Sequence, residues 1–138
     1  MKSWFRNAIA LAAAAIAAAL PLGAPAIGQR PSLAMLDQLD KGSWELRFRD
    51  DGAVQRMCLA DLRRLIQLRH PGANCERVIV EDEASQVTVQ YTCRGQGYGR
   101  THIRRESSRL IQIDGQGIAN GLPFAFAAEA RRIGDCAG

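Results

Sequence analysis

The chain has 138 residues, which is the size of one small domain and excludes a multidomain enzyme. Apolar residues make up 47% of it and charged residues 23%, which excludes a collagen-like or wholly disordered chain. The formal net charge is +4, but residues 27–138 hold 16 Lys or Arg against 14 Asp or Glu. So small a surplus predicts no nucleic-acid partner.

The first 26 residues have the pattern of a secretory signal peptide. Lys2 and Arg6 precede an uninterrupted run of Ala, Ile and Leu at 8–20. The run is too short to span a bilayer, because a spanning helix needs about 20 residues. A Pro and a Gly end it, and Ala24-Pro25-Ala26 offers the small residues that signal peptidase requires. We expect cleavage after Ala26, no membrane span in the remaining chain, and a periplasmic or secreted protein.

Residues 27–41 are expected to form a leader with a short helix, and residues 42–138 a single disulfide-stapled β domain. Ser32 is the expected N-cap of the helix and Gly42 its expected stop. The apolar positions of this predicted helix are Leu33, Met35, Leu36 and Leu39.

The next segments alternate between strand and helix patterns. Residues 44–49 and 54–59 predict a hairpin around an Asp-Asp-Gly turn, and 61–70 predict a helix that Pro71 ends. Residues 78–80 predict a strand with a buried centre, and 81–83 an acidic, solvated bend. Residues 86–93 have the clearest alternation of the chain. Its apolar face carries Val87, Val89, Tyr91 and Cys93.

Glycines divide the remainder. A turn surrounded by Gly95, Gly97 and Gly99 leads into a strand at 101–103, a Ser-Ser turn leads into the next, and a last strand runs from Phe124 to about Ile133. Bends are expected at Gly115, Gly117, Asn120 and Gly121. The whole pattern predicts a mainly β fold: a strongly curved antiparallel sheet or partial barrel of about seven short strands, with one inserted helix and the short N-terminal helix.

Four cysteines are typical of two disulfides in an exported domain. They are Cys58, Cys75, Cys93 and Cys136. Three pairings are possible, and we expect Cys58 with Cys75, stapling the ends of the helical excursion, and Cys93 with Cys136. No Cys-x-x-Cys pair is present, so the spacing does not favour a zinc site or a redox motif.

Several of these landmarks together resemble the bacterial secreted family called domain of unknown function 3617. They are Gly42-Ser43-Trp44-Glu45, Cys58-Leu59 before a helix, the strand ending at Cys93, and the closing Arg131-Arg132-Ile133-Gly134-Asp135-Cys136. Ala60-Asp61 stands where members of that family commonly have Thr-Pro. The resemblance implies a periplasmic or secreted disulfide-bonded domain, and it assigns no activity and no ligand.

Two sets of residues are candidates for ligand binding. The first alternates on one face of a predicted strand, where arginines can bind a carboxylate or phosphate through two hydrogen bonds. Its members are Tyr98, Arg100, His102 and Arg104. The second combines aromatic and small residues inside the curved sheet, where room for an apolar guest could remain. Its members are Trp44, Phe48 and Phe126. Each set also has a simpler interpretation. The arginine set fits a solvated face whose arginines pair with acids, and the aromatic set fits an ordinary packed core.

The sequence predicts no catalytic residue, metal or cofactor. His70 and His102 are the only histidines, no serine lies in a Gly-x-Ser-x-Gly motif, and residues 95–99 lack the remaining signature of a nucleotide-binding loop. We expect a non-enzymatic binding or structural module of the cell envelope, with an unknown envelope partner or small ligand. The alternatives are a carrier of a small apolar or anionic ligand in the sheet concavity and, ranked last, a small hydrolase. A cavity beside Trp44 and Phe126 would favour the carrier, and a histidine near both a hydroxyl and a carboxylate would favour the hydrolase.

Overall fold

The computed structural model describes residues 32–137. The predicted signal peptide, its cleavage site and the start of the leader lie outside the described residues. The elements in chain order are a short helix α1 (Ala34–Asp37), strands β1 (Gly42–Phe48) and β2 (Val54–Leu59), a 3₁₀ helix (Leu62–Gln67), and strands β3 (Cys75–Asp82), β4 (Gln86–Cys93), β5 (Gly97–Ser107), β6 (Leu110–Ala119) and β7 (Leu122–Gly134).

The seven strands form one unclosed antiparallel sheet in the order β2-β1-β7-β6-β5-β4-β3, which confirms the predicted mainly β fold. β1 pairs with both β2 and β7, so the N-terminal hairpin is added to the last strand of the chain. β2 and β3 are therefore the two edges. Met57 of β2 and Arg77 of β3 line one cavity beside the 3₁₀ helix, so the sheet curls around that helix.

One face of the sheet, called here the inner face, packs against α1 and the 3₁₀ helix and forms the core. Trp44 and Leu46 of β1 are completely buried there, as the predicted alternation of this strand requires. The apolar face predicted for β4 is also confirmed. The other strands and the two helices supply Leu59, Leu65, Ile66, Ile103, Ile111, Ile113, Phe126, Met35 and Leu36.

Glycines on the inner face make room for aromatic rings from neighbouring strands. A Cβ on Gly99 would lie 2.5 Å from Cζ of Tyr91, and a Cβ on Gly115 would lie 2.5 Å from Cε1 of Phe126. Gly115 and Gly117 lie inside β6, so the bends predicted at them are wrong. The turn is at Asn120 and Gly121, which have φ values of 52° and 80° and form the tight hairpin turn that Asn-Gly favours. Gly97 and Gly99 lie inside β5, so the turn predicted there is confined to residues 94–96.

The predicted capping of the first helix is wrong at both ends. α1 begins at Ala34, and no side chain at its start caps it. Instead, Oδ2 of Asp82, far along the chain, accepts hydrogen bonds from the backbone N–H groups of Ser32 and Leu33 at 2.8 and 3.2 Å. Gly42 is the first residue of β1 and not the end of the helix.

The helix predicted at 61–70 forms as a shorter 3₁₀ helix. The side chain of Asp61 accepts a hydrogen bond from the Arg63 N–H at its start. Leu62, Leu65 and Ile66 are buried against the sheet, as their spacing indicates. The Thr101 hydroxyl of β5 donates to the Ile66 carbonyl oxygen at 2.7 Å, which fixes this helix on the inner face.

Of residues 78–80, Ile79 is partly buried against the core, but the burial predicted for its two neighbours is wrong, because β3 is an edge strand. Val78 is 65% exposed and Val80 is 49% exposed. The register of β3 against β4 shifts between Ile79 and Glu81, so that Glu81 lies opposite Thr88. Glu81 and Asp82 belong to the strand, so the predicted acidic bend is also wrong there.

Two disulfides are present, but the pairing differs from the expected one. Cys58 bonds Cys136, and Cys75 bonds Cys93. Topology explains the difference: Ser43 on β1 is the register partner of both Cys58 on β2 and Gly134 on β7. Pairing of the first strand with the last therefore brings the C-terminal cysteine to Cys58. Cys75 and Cys93 are direct register partners across β3 and β4.

Candidate functional site

The face opposite the core, called here the outer face, carries the first set of candidate residues. Along β5, Tyr98, Arg100, His102 and Arg104 point to this face, between the buried residues Gly99, Thr101 and Ile103. The sequence alternation therefore placed this set correctly on one accessible surface. Because the inner side of β5 is anchored by Thr101 and Ile103, the four outer side chains project from a fixed backbone.

Beside these side chains the outer face has two adjoining shallow cavities of about 410 and 430 Å³. Both are lined by Arg100, Gln116 and Ala125, so they form one continuous depression, called here the outer groove. The other side chains that line it are Gln90, Tyr98, His102, Asp114 and Ala127, together with Asp50, Phe124 and Phe126. β6 lies between β5 and β7, and the small alanines Ala125 and Ala127 of β7 are the register partners of Gln116 and Asp114 on β6, which leaves room beside the long side chains.

Arg100 differs from the other arginines of its hairpin. Residues 84–105 contain four arginines and no carboxylate. Arg94 pairs with Glu76, Arg104 with Glu106, and Arg105 donates to the Ala84 carbonyl oxygen. Within residues 32–137, the Arg100 side chain has no hydrogen bond and no ion pair, and it lies at the centre of the outer groove.

A polar chain of three side chains holds one wall of the groove. The Thr88 hydroxyl donates to Oε2 of Glu81 at 2.8 Å and lies 2.9 Å from Nδ1 of His102. Because the hydroxyl proton is used by Glu81, the hydroxyl accepts from Nδ1–H, and Nε2 of the neutral ring is the acceptor. The Thr88 hydroxyl, followed by the Gln86 amide at 2.6 Å, keeps the pKa of the Glu81 carboxyl below its usual value.

This arrangement does not have the geometry of a hydrolase, although His102 does lie near a hydroxyl and a carboxylate. A catalytic imidazole uses one nitrogen toward the nucleophile and the other toward the carboxylate. Here Nδ1 of His102 is 2.9 Å from the hydroxyl and 3.7 Å from Glu81, so the same nitrogen faces both. Thr88 is also only 4% exposed, so a substrate cannot reach its hydroxyl.

The second set of candidate residues lies on the other side of the sheet. Trp44 is 0% exposed, and its Nε1 donates to the Asp40 carbonyl oxygen at 3.0 Å, so it presents no surface to a ligand. Phe48 and Phe126 pack edge to face with ring centroids 5.5 Å apart. The guanidinium of Arg69 covers both rings at 5.5 and 5.2 Å. Phe48 and Phe126, with Arg69, line a cavity of about 320 Å³. Phe126 also lines the cavity that contains Arg100 and His102. Trp44 lines neither cavity, so it is separate from both sets of lining residues.

His70 is a structural residue at the end of the core. It is 3% exposed. Its ring nitrogens each lie 3.1 Å from an oxygen, Nδ1 from the Tyr91 hydroxyl and Nε2 from the Gln96 carbonyl. Since the carbonyl only accepts, Nε2 donates and the Tyr91 hydroxyl donates to Nδ1. Burial raises the pKa of Tyr91, so this hydroxyl keeps its proton.

Within the described part of the chain, no three His, Cys, Asp or Glu side chains are grouped so that they could hold a metal ion. The same residues include no helix with the length and apolarity needed to cross a membrane.

Three groove residues were not identified from the sequence. Gln116 and Asp114 lie on β6, and Gln90 lies on β4. The alternation of residues 86–93 puts Gln90 opposite the apolar face of β4, but the sequence does not show that Gln90 lies beside Arg100. The strand pattern that contains Asp114 and Gln116 was missed, because the neighbouring Gly115 and Gly117 were interpreted as bends. Once β5 and β6 are paired, the register Arg100–Gln116 and His102–Asp114 identifies them directly.

Comparisons with known proteins add no relative. A scan of the chain against protein-family models gives no match, and searches of curated proteins and of solved structures give none either.

Proposed function

We propose that the chain is an exported, non-enzymatic binding module of the cell envelope, and that its outer groove takes a small anionic ligand at Arg100. The predicted signal peptide and the resemblance to a secreted bacterial family support export to the periplasm or beyond. Two disulfides fit an oxidising compartment of this kind.

The observation that carries the proposal is the unpaired state of Arg100, which lies in a stretch, residues 84–105, that contains no carboxylate. A guanidinium presents a planar fork of donors that matches a carboxylate or phosphate, and such charge-assisted bonds are about twice as strong as neutral ones. The other arginines of the hairpin already have partners within the described residues. Arg100 is thus the cation left free to bind an anion.

The surrounding groups indicate what the rest of the ligand would contact. Tyr98 is 51% exposed and offers a flat apolar surface on one side of Arg100. Gln90 and Gln116 flank Arg100 on the neighbouring strands and provide amide donors and acceptors. Asp114 and His102 accept hydrogen bonds at the other end of the groove. A ligand with one anionic group and several hydroxyl groups fits this distribution.

The proposal is tested by a titration of the ¹⁵N-labelled protein, followed by NMR. The probes are trigalacturonate, which carries carboxylates, glycerol phosphate, and the uncharged maltotriose. We expect shifts of the Tyr98, Arg100 and Gln116 amides with one or both anions and none with maltotriose. Arg100→Gln should weaken anion binding at least tenfold, since a hydrogen bond to a charged group contributes about 1.5–3 kcal/mol.

Arg109→Gln is the matched control. Arg109 is also exposed and has no ion pair within residues 32–137, but it lies in the β5–β6 turn outside the groove. Its substitution should leave binding unchanged. Equal losses in the two variants, equal binding of maltotriose, or no response to either anion would each contradict the proposal.

A further inference from the structure

Two hairpin turns meet at one end of the sheet. The β4–β5 turn spans residues 94–96, and the β6–β7 turn is formed by Asn120 and Gly121. The Asn120 N–H donates to the Gln96 carbonyl oxygen at 3.1 Å, so the two turns are joined. This end of the sheet, residues 94–98 and 118–123, is called here the tip.

The tip exposes apolar side chains that have no covering element within the described residues. Leu122, directly after the turn, is 71% exposed, more than any other large hydrophobic residue of residues 32–137. Tyr98 is 51% exposed, and Ile118 and Pro123 lie beside it as successive register partners across β5, β6 and β7. Tyr98, Ile118 and Pro123 therefore form an apolar strip across three strands of the outer face. Leu122 lies next to this strip at the same end of the sheet, on the side of the inner-face residues of β7.

Carboxylates are nearly absent around this apolar surface. Residues 115–128 contain no charged residue, and residues 84–105 contain four arginines and no acid. Arg94 lies in the β4–β5 turn with its side chain 90% exposed, and Arg100 follows Tyr98 on the outer face. Glu76 is exposed and paired with Arg94 at 3.4 Å, a contact that contributes little in water. Apolar side chains next to cations favour contact with a partner whose surface is both negatively charged and apolar.

We propose that the tip docks on the surface of an anionic lipid bilayer. Leu122 enters the boundary between headgroups and acyl chains, Tyr98 lies at the headgroup level, and Arg94 and Arg100 face lipid phosphates. An aromatic ring with a polar end is favoured at that level, and each basic residue near the surface adds attraction that salt weakens. The joined turns present these side chains on a rigid support, so little ordering is needed on binding.

Docking at the tip does not depend on the small-ligand function of the groove. Tyr98 lies both at the tip and in the outer groove, so docking would hold the groove close to the headgroups. Leu122 lines neither of the two cavities that form the groove. Substitution of Leu122 therefore tests docking alone, whereas Arg100→Gln affects both the groove and docking.

The experiment uses the oxidised chain beginning at Ile27, because the apolar run at residues 8–20 would itself bind lipid. Protein is mixed with vesicles of phosphatidylglycerol and phosphatidylcholine, or of phosphatidylcholine alone, and the bound fraction is measured by flotation. We expect binding to the anionic vesicles and little binding to the neutral vesicles. Binding to the anionic vesicles should weaken at about 0.5 M salt, because salt screens the attraction between arginines and phosphates. Leu122→Gln should weaken binding about tenfold, because the variant loses the transfer of an apolar side chain from water into the bilayer.

Val54→Gln is the matched control, because Val54 is 54% exposed at the start of β2, away from the tip. It should bind like the unsubstituted protein. In Leu122→Trp, the added tryptophan should show a blue-shifted emission with anionic vesicles if this position enters the bilayer. The proposal is overturned if the protein does not float with anionic vesicles or if Leu122→Gln binds as well as Val54→Gln. The proposal is also overturned if the protein does not bind vesicles but forms a dimer in solution that Leu122→Gln dissociates. That result would show that the tip mediates self-association.

Discussion

Cys75 and Cys93 face each other as register partners, with Cα atoms 4.2 Å apart, and their disulfide ties the edge strand β3 to the rest of the sheet. β3 has only one neighbouring strand in the sheet and exposes Val78 and Val80. The disulfide therefore holds the least protected strand in place. The second disulfide, Cys58 to Cys136, acts at the opposite edge, where it links β2 to the end of β7 across β1.

Removal of the two disulfides should have unequal effects. In the chain-entropy model, a bridge across 18 residues contributes about 3 kcal/mol and one across 78 residues about 4.5 kcal/mol. Cys58→Ala with Cys136→Ala should therefore lower the free energy of unfolding more than Cys75→Ala with Cys93→Ala. Urea unfolding followed by the fluorescence of the buried Trp44 measures both.

A tryptic map without reduction checks the pairing itself, because Arg63, Arg64 and Arg69 separate Cys58 from Cys75. The map should contain a peptide pair joined through Cys58 and Cys136. Recovery of a pair joined through Cys58 and Cys75 would refute the pairing and with it the placement of β7 beside β1.

Substitution of Gly99 by alanine should destabilise the fold. The added Cβ would lie 2.5 Å from the ring of Tyr91, which is 2% exposed and also hydrogen-bonded to His70. Overpacking of a tight core costs about 1–3 kcal/mol. Gly134→Ala is the control, because a Cβ there meets nothing within 4 Å. Chemical denaturation should show a clear loss for Gly99→Ala and a change within about 0.5 kcal/mol for Gly134→Ala; similar values for the two would argue against this packing.

Replacement of Thr88 by valine should break the link between Glu81 and His102. The variant keeps the shape of the side chain but leaves a carboxylate oxygen without its donor, a loss of about 1–3 kcal/mol. Thr92→Val is the matched control, because Thr92 lies on the same face of β4 with its side chain exposed.

The ¹⁵N spectrum of the His102 ring supplies a readout that a packing defect would not change. In the unsubstituted protein the proton of the His102 ring should lie on Nδ1. In Thr88→Val, and equally in Thr88→Ile, the hydroxyl that holds the proton there is absent, so the proton should no longer be confined to Nδ1. A ring spectrum of Thr88→Val identical to that of Thr92→Val would show that Thr88 does not set the tautomer.

Stability should fall in acid in a way that depends on Glu45. Hydrogen bonds from Arg47 and then Arg56 hold the pKa of the Glu45 carboxyl below its usual value. The unfolded chain therefore takes up a proton at a higher pH than the folded chain. This stabilisation is complete above the unfolded pKa of about 4.3 and is lost as the pH falls through the lower folded value.

Unfolding free energies measured at several pH values below about 6 check this dependence. Glu45→Gln should reduce the slope, and Glu83→Gln, an exposed carboxylate of the turn after β3, should not. A residual slope is expected in Glu45→Gln, because hydrogen bonds from Arg63 to Asp37 and from Thr88 to Glu81 also lower the pKa of those carboxyls. An unchanged slope in Glu45→Gln would be incompatible with the ion pairs to Arg47 and Arg56.

The groove residues on β5 were predicted from the sequence, and those on β6 were not. The alternation of β5 identified Tyr98, Arg100, His102 and Arg104 as neighbours on one face, because residues two apart in a strand point the same way. Their cross-strand neighbours Gln116 and Asp114 could not be identified, since register depends on which strands pair. The contact of Glu81 with Thr88 could not be predicted either. It depends on a register shift between Ile79 and Glu81, and no residue of this apolar and acidic segment indicates that shift.

Local patterns in the sequence determined the seven strands, the Asn-Gly turn and the buried face of β4, since each depends only on side-chain alternation and turn chemistry between near neighbours. Only the tertiary structure decided the disulfide pairing, the exposure of Val78 and the hydrogen bond from the Ser32 N–H, just before α1, to Asp82. Each of these depends on the pairing of β1 with β7 or on the position of β3 at the edge. Such contacts join residues far apart in the chain, and no local pattern encodes which distant segment will supply the partner.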